Sequence, residues 1–102
     1  MGEAKQQFLK AGHGVLNAEL SQFFGKPCFK IGGKAFVAFF QDEMVFKLDQ
    51  PTHGRALALS GAKLFDPSGK GRAMKEWVQV PYEHYELWPS FAQQACLYTS
   101  SH

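Results

Sequence analysis

The stretch Cys28-Phe29-Lys30-Ile31-Gly32-Gly33-Lys34-Ala35-Phe36-Val37-Ala38-Phe39-Phe40-Gln41-Asp42-Glu43-Met44-Val45-Phe46-Lys47-Leu48 decides the fold. Two apolar runs flank Gly32-Gly33, a pair that readily supplies the two positive φ angles of a type I′ hairpin. Gln41-Asp42-Glu43 makes a second turn, and Met44 to Leu48 returns. The stretch therefore predicts a three-stranded antiparallel meander. With both hairpins closed tightly, Phe29 falls opposite Phe36, Ala38 opposite Phe46, and Phe40 opposite Met44. Strand alternation then places Phe29, Ile31, Phe36, Ala38, Phe40, Met44, Phe46 and Leu48 on one core-forming face. The other face carries Cys28, Lys30, Ala35, Val37, Phe39, Val45 and Lys47.

Upstream, Phe8, Leu9, Val15, Leu16 and Leu20 recur at three- and four-residue steps, which predicts one helix from Glu3 to Gln22, within residues 1–23. Gly12-His13-Gly14 weakens its middle and is read as a place for a break or kink, with the better-formed turns on either side, and Pro27 turns Lys26 away from helical dihedrals. Downstream, Pro51 opens a short helix over residues 51–60, with Gly61 at its end. Lys63-Leu64-Phe65 and Lys75 to Val80 read as two further strands, joined by the turn-forming run Asp66-Pro67-Ser68-Gly69-Lys70-Gly71-Arg72. Pro81 starts a C-terminal helix over residues 81–98, which Trp88-Pro89 divides, and Thr99 to His102 should fray. The sum is one α+β domain over residues 1–102. Its antiparallel sheet has about five strands, spans residues 28–80, and carries the N- and C-terminal helices packed on it.

Composition agrees with one core: 102 residues, 45% hydrophobic, with ten Phe and two Trp. A formal charge of +2 is too weak to require a polyanionic partner. The charge is unevenly spread, however. Residues 26–75 hold nine Lys or Arg against four acids, whereas Glu76 onward holds three acids and no Lys or Arg. That asymmetry can steer a partner. Cys28 and Cys96 form no CxxC or Cys/His cluster and read as reduced thiols. The opening Met1-Gly2-Glu3-Ala4-Lys5 lacks the apolar core of a signal peptide, and no apolar run approaches a membrane span. A cytoplasmic location without membrane contact is the expectation.

Three stretches carry a family resemblance: Phe24-Gly25-Lys26-Pro27 leading into Phe29-Lys30-Ile31-Gly32-Gly33-Lys34-Ala35-Phe36; Val45-Phe46-Lys47-Leu48; and residues 69–81 (GKGRAMKEWVQVP), followed by a helix with Trp88 and Ala92. In order and spacing the chain resembles the TfoX N-terminal-domain family and, more loosely, the MmcQ/YjbR-like proteins. The resemblance implies the α+β fold just read and a small standalone domain. In TfoX-type proteins this domain accompanies a second one in a competence regulator; here the chain ends at His102. For the YjbR-like group it implies DNA binding as a hypothesis.

Chemistry is sparse. His13, His53, His84 and His102 have no metal-ligand spacing, and no catalytic, cofactor or metal constellation stands out. Cys28, beside Lys26 and Lys30, is the one thiol whose cations favour a thiolate, although inert packing is the expected state. Two surfaces remain. Lys63, Lys70, Arg72 and Lys75 on and around the glycine-rich loop are candidate anion or nucleic-acid contacts. Cys28, Lys30, Val37, Phe39, Val45 and Lys47 form an apolar, lysine-rimmed candidate interface unless the C-terminal helix covers them. The leading expectation is a non-enzymatic binding or regulatory module acting through protein contacts, with self-association into a homodimer as the simplest form. A nucleic-acid-binding domain using residues 63–75 comes second, and a small enzyme using Cys28 or His84 third.

Overall fold

A computed structural model describes residues 2–23, 25–71 and 73–101. It is α+β. Helix α1 (Glu3–His13) leads into strands β1 (Glu19–Phe23), β2 (Lys26–Ile31), β3 (Lys34–Phe40) and β4 (Glu43–Lys47). Helix α2 (Thr52–Leu57), strands β5 (Lys63–Phe65) and β6 (Met74–Val80), a 3-10 helix (Tyr82–Leu87) and helix α3 (Trp88–Ser100) complete the chain. The strands form one antiparallel sheet in the order β1-β2-β3-β4-β6-β5. Among the described residues no helix is long and apolar enough to cross a membrane.

The sheet thus has six strands rather than five, because the expected N-terminal helix is cut in two. Helix α1 buries Ala4, Phe8, Ala11 and Gly12 on one stripe and stops at His13. Asn17 takes a left-handed φ of 68°, and Glu19–Phe23 then runs antiparallel to β2. The helical spacing of Val15, Leu16 and Leu20 misleads because these residues share no buried face. Val15 is buried, while Leu16 is 83% and Leu20 52% exposed. Gly12, which weakens the helix by sequence, has a packing reason to be there. A Cβ at this position would lie 2.1 Å from the Phe29 ring, so its absence lets α1 settle onto the sheet.

Within the meander, Gly32 and Gly33 take φ of 57° and 83°, as the I′ turn requires. Ile31 pairs with Lys34 and Lys30 with Ala35, but Phe29 then pairs with Val37 and Cys28 with Ala38. The extra residue, Phe36, makes a β-bulge, and a bulge exchanges the faces of everything beyond it on its strand. The second hairpin is tighter than expected: Gln41-Asp42 forms a two-residue turn and Phe40 pairs with Glu43. The expected pairs Phe29–Phe36, Ala38–Phe46 and Phe40–Met44 are therefore each displaced by one residue.

Helices α1 and α3 pack on one face, chiefly over β2, β3 and β4. Phe8, Phe29, Phe36, Val37, Met44, Phe46, Leu48, Val78, Val80, Trp88, Ala92 and Ala95 form this main core. The expected division of the C-terminal helix falls at Trp88, with Pro89 in the first turn of α3. Its end is firmer than expected, since Thr99 is buried. The second face holds a separate cluster of Cys28, Ala38, Val45, Phe65 and Trp77. Among the described residues no helix contributes to it; the sheet bends over it instead. Phe23 on β1 stacks on Trp77 of β6 with centroids 5.0 Å apart. In a flat sheet those strands would lie roughly 19 Å apart, at about 4.8 Å per strand. Phe40 and Phe65, also from non-adjacent strands, meet edge to face at 5.2 Å.

Candidate functional site

The six residues expected to form an outer interface do not share a surface. Beyond the bulge, Val37 and Phe39 turn to the helix side. Val37 is fully buried there, and the Phe39 ring lies 5.2 Å from Phe8. Cys28 and Val45 do lie on the other face, but both are 0% exposed beneath the bent sheet. Burial also pushes the Cys28 thiol up, with Lys30 only partly offsetting it. That environment opposes the thiolate. Lys30 and Lys47 are half-buried, and the Lys47 ammonium lies 6.0 Å from the Tyr98 ring centroid on α3.

The basic loop is likewise built differently from an anion cradle. Asp66 Oδ1 accepts from the Ser68 amide (3.1 Å), the Ser68 hydroxyl (2.7 Å) and the Gly69 amide (3.0 Å). Its Oδ2 accepts from the Gly71 amide at 2.8 Å, and the Lys70 amide donates to Ser68 Oγ at 3.1 Å. The Ser68, Gly69 and Gly71 amides are thus occupied by the chain's own carboxylate, and that of Lys70 by the Ser68 hydroxyl. The Ser68 hydroxyl first, and the amides of Gly71, Gly69 and Ser68 after it, hold the Asp66 carboxyl below the usual carboxylate range despite some desolvation. Lys63 and Lys75 are not neighbours. Lys63 pairs with Gln79 at the far end of β6, four positions beyond Lys75. Arg72 lies outside the described residues. What the loop does border is a cleft of about 470 Å³ lined by Phe40, Gln41, Lys63, Asp66 and Gln79 among others. The Lys26 ammonium sits 4.9 Å from the centroid of the Phe40 ring.

The histidines are tied into the scaffold. His53 Nε2 donates to the Lys75 carbonyl at 2.8 Å, clamping α2 to β6, and His84 Nε2 donates to the Ser60 carbonyl at 2.9 Å. His13 packs edge-on against Phe29, and His102 lies outside the described residues. The Tyr98 hydroxyl donates to Glu76, which pushes the phenol up to about 12 and joins α3 to β6.

The surface that sequence reading missed is the outer edge of β1. Among the described residues, strand β1 is an edge of the sheet, paired by β2 on its inner side. Its residues Glu19-Leu20-Ser21-Gln22-Phe23 contain no lysine or proline, and Leu16 and Leu20 stand out into solvent beside it. The opposite edge, β5, has three residues, begins with Lys63 and is followed by Pro67. Short length and lysine are usual guards against edge pairing; β1 has neither, and its one charge is Glu19. The sequence carries little strand signal there, since Leu20 and Phe23 are a helical step of three apart and fall on opposite faces of the strand. Comparison of the chain with family models, curated proteins and solved structures gives no match.

Proposed function

We propose that this domain is a binding module that works through protein contacts, and that the free edge of β1 is its contact surface. One observation carries the reading: a five-residue edge without lysine or proline, with Leu20 exposed on it and Leu16 exposed before it, on a sheet whose other edge is short and lysine-marked. Support also comes from what the reactive side chains do. Cys28 fills the second core, and His53 and His84 hold backbone carbonyls. A place near the TfoX N-terminal-domain family is part of the same proposal, carried by the three stretches quoted above. The test is a photo-cross-linking residue placed at Leu20 or, separately, at Lys63, in cells that make the protein. Defined protein adducts at position 20 and few at position 63 are expected. Equal adducts at both edges, or none at either, would sink the reading.

A second reading has one specific observation behind it. The Phe40 ring, capped by Lys26 and bordering the Lys63 cleft, is a half-buried aromatic next to cations. Single-stranded nucleic acid uses such surfaces for stacking and phosphate contact. Binding of this kind must weaken steeply as salt rises. A titration of duplex and single-stranded DNA that shows no binding at low salt removes it.

A further inference from the structure

We infer that the partner of the β1 edge is a second copy of this chain, paired antiparallel about a two-fold axis through Ser21. The inference rests on the edge-contact reading above and adds its occupant and register. Directly opposed residues in an antiparallel pair point to the same face. Leu20 and Gln22 share the helix face with Phe29, and Glu19, Ser21 and Phe23 share the bent face with Cys28. Only pairings that oppose residues of one face are allowed, so the axis must pass through a residue and not between two.

Of those axes, the one through Ser21 pairs all five strand residues: Glu19 with the partner's Phe23, Leu20 with Gln22, Ser21 with itself. An axis through Leu20 would draw Asn17 into the ladder, and one through Gln22 would draw in Gly25. Both have positive φ, 68° and 74°, and neither is extended.

Charge agrees with self-pairing. Strand β1 holds one carboxylate and no cation, while Lys26 and Lys30 lie on the next strand inward. In the Ser21 register each Glu19 shares a cross-strand row with Lys30 of its own chain. The same row runs across the partner's Phe23 to the partner's Lys26, about 10 Å away at two strand spacings. No like charges are directly opposed. The two Leu20 side chains come within diagonal reach, about 7–8 Å, on the helix face. The helix layer lies chiefly over β2, β3 and β4, which leaves room for a partner sheet at β1. A contact this short belongs with weak interfaces, below about 1,200 Å², so the dimer should dissociate on dilution.

The experiment is sedimentation equilibrium of the intact chain from micromolar to millimolar concentration, with hydrogen exchange of the β1 amides over the same range. A reversible dimer is expected, together with β1 protection that grows with concentration while β5 protection does not. Leu20→Lys would place two ammonium groups across the axis and should weaken association at least about tenfold, with an unchanged far-UV spectrum. A nitroxide on Ser21→Cys, in a Cys96→Ser background, should show dipolar broadening in the dimer that a label on Lys63→Cys does not. A monomer at every concentration overturns the inference, as does a dimer in which neither the β1 amides nor the Ser21 label responds. If the Leu20 cross-link nonetheless captures a different protein, the contact reading stands while the self-pairing falls. Absence of both removes both.

Discussion

The two faces of this sheet are closed by different devices. One is sealed by separate elements, with α1 and α3 bringing Phe8, Trp88, Ala92 and Ala95 down onto Phe29, Phe36 and Phe46. The other is sealed by the sheet itself, which bends until Phe23 reaches Trp77 and Phe40 reaches Phe65. The first closure depends on close helix approach and survives only if the interface stays filled. The second depends on curvature, supported by the Phe36 bulge and a few edge aromatics. The comparison explains how Cys28 and Val45 vanish from solvent with no helix above them. With a core cluster on each face, the open backbone of the sheet lies at its edges, β1 and β5.

The comparison breaks most severely on the helix side. Phe29→Ala removes a fully buried ring that touches Phe8 and His13 and fills the space left by Gly12. A loss of about 3–5 kcal/mol is expected from the cavity and lost transfer energy, read as a lower denaturant midpoint at unchanged slope. Gly12→Ala attacks the same contact from the other side. Helix propensity would gain roughly 1 kcal/mol, but a methyl group 2.1 Å from the Phe29 ring forces the helix or the ring to move. A net loss of about 1–3 kcal/mol is expected from overpacking, and a neutral or stabilising result would contradict the close approach.

The bent face should yield less. Phe23→Ala removes the stack on Trp77 but leaves the main core untouched. A loss of about 1–2 kcal/mol is expected for removing a half-buried ring from a buried tryptophan. The more telling readout is Cys28, which should react faster with a thiol reagent once the bend is loosened. An unchanged rate would mean that something other than the curl protects the thiol.

How much of this was readable beforehand differs between the same regions. The hairpin at Gly32-Gly33 was legible because only residues tolerant of positive φ fit a tight turn there. The bulge was not. The run Ala35-Phe36-Val37-Ala38-Phe39-Phe40 is apolar on both parities, so a one-residue slip leaves its hydrophobic pattern equally good. Strict alternation therefore puts Val37 and Phe39 on the outer face, whereas the bulge turns both to the helix side and dissolves the candidate interface. Strand β1 was hidden because Val15, Leu16 and Leu20 fit a helical period whose glycines actually end the helix. The candidate loop was read as a turn correctly. Its charge balance is not legible from the count of lysines, because the Asp66 side chain binds its own downstream backbone in the manner usual for turns.

Asp66 supplies the finest test of the bent side, since it holds the loop that borders the Lys63 cleft. Its carboxyl is held below the usual range by the Ser68 hydroxyl and the amides of Gly71, Gly69 and Ser68. A carboxyl depressed on folding adds stability above its unfolded value, and that contribution is lost as pH falls through the folded value. Asp66→Asn should therefore differ from the parent at neutral pH and approach it in acid. The side chain is partly exposed, at the surface of its loop, so the change should be local rather than global. In NMR, the Ser68, Gly69 and Gly71 amides should shift together on acidification, with one midpoint below that of an ordinary aspartate. Independent movements, or a shared midpoint at the ordinary value, would mean that the carboxylate does not organise the loop. The backbone donors would then be free for an external anion, which would strengthen the nucleic-acid reading at the expense of the β1 edge.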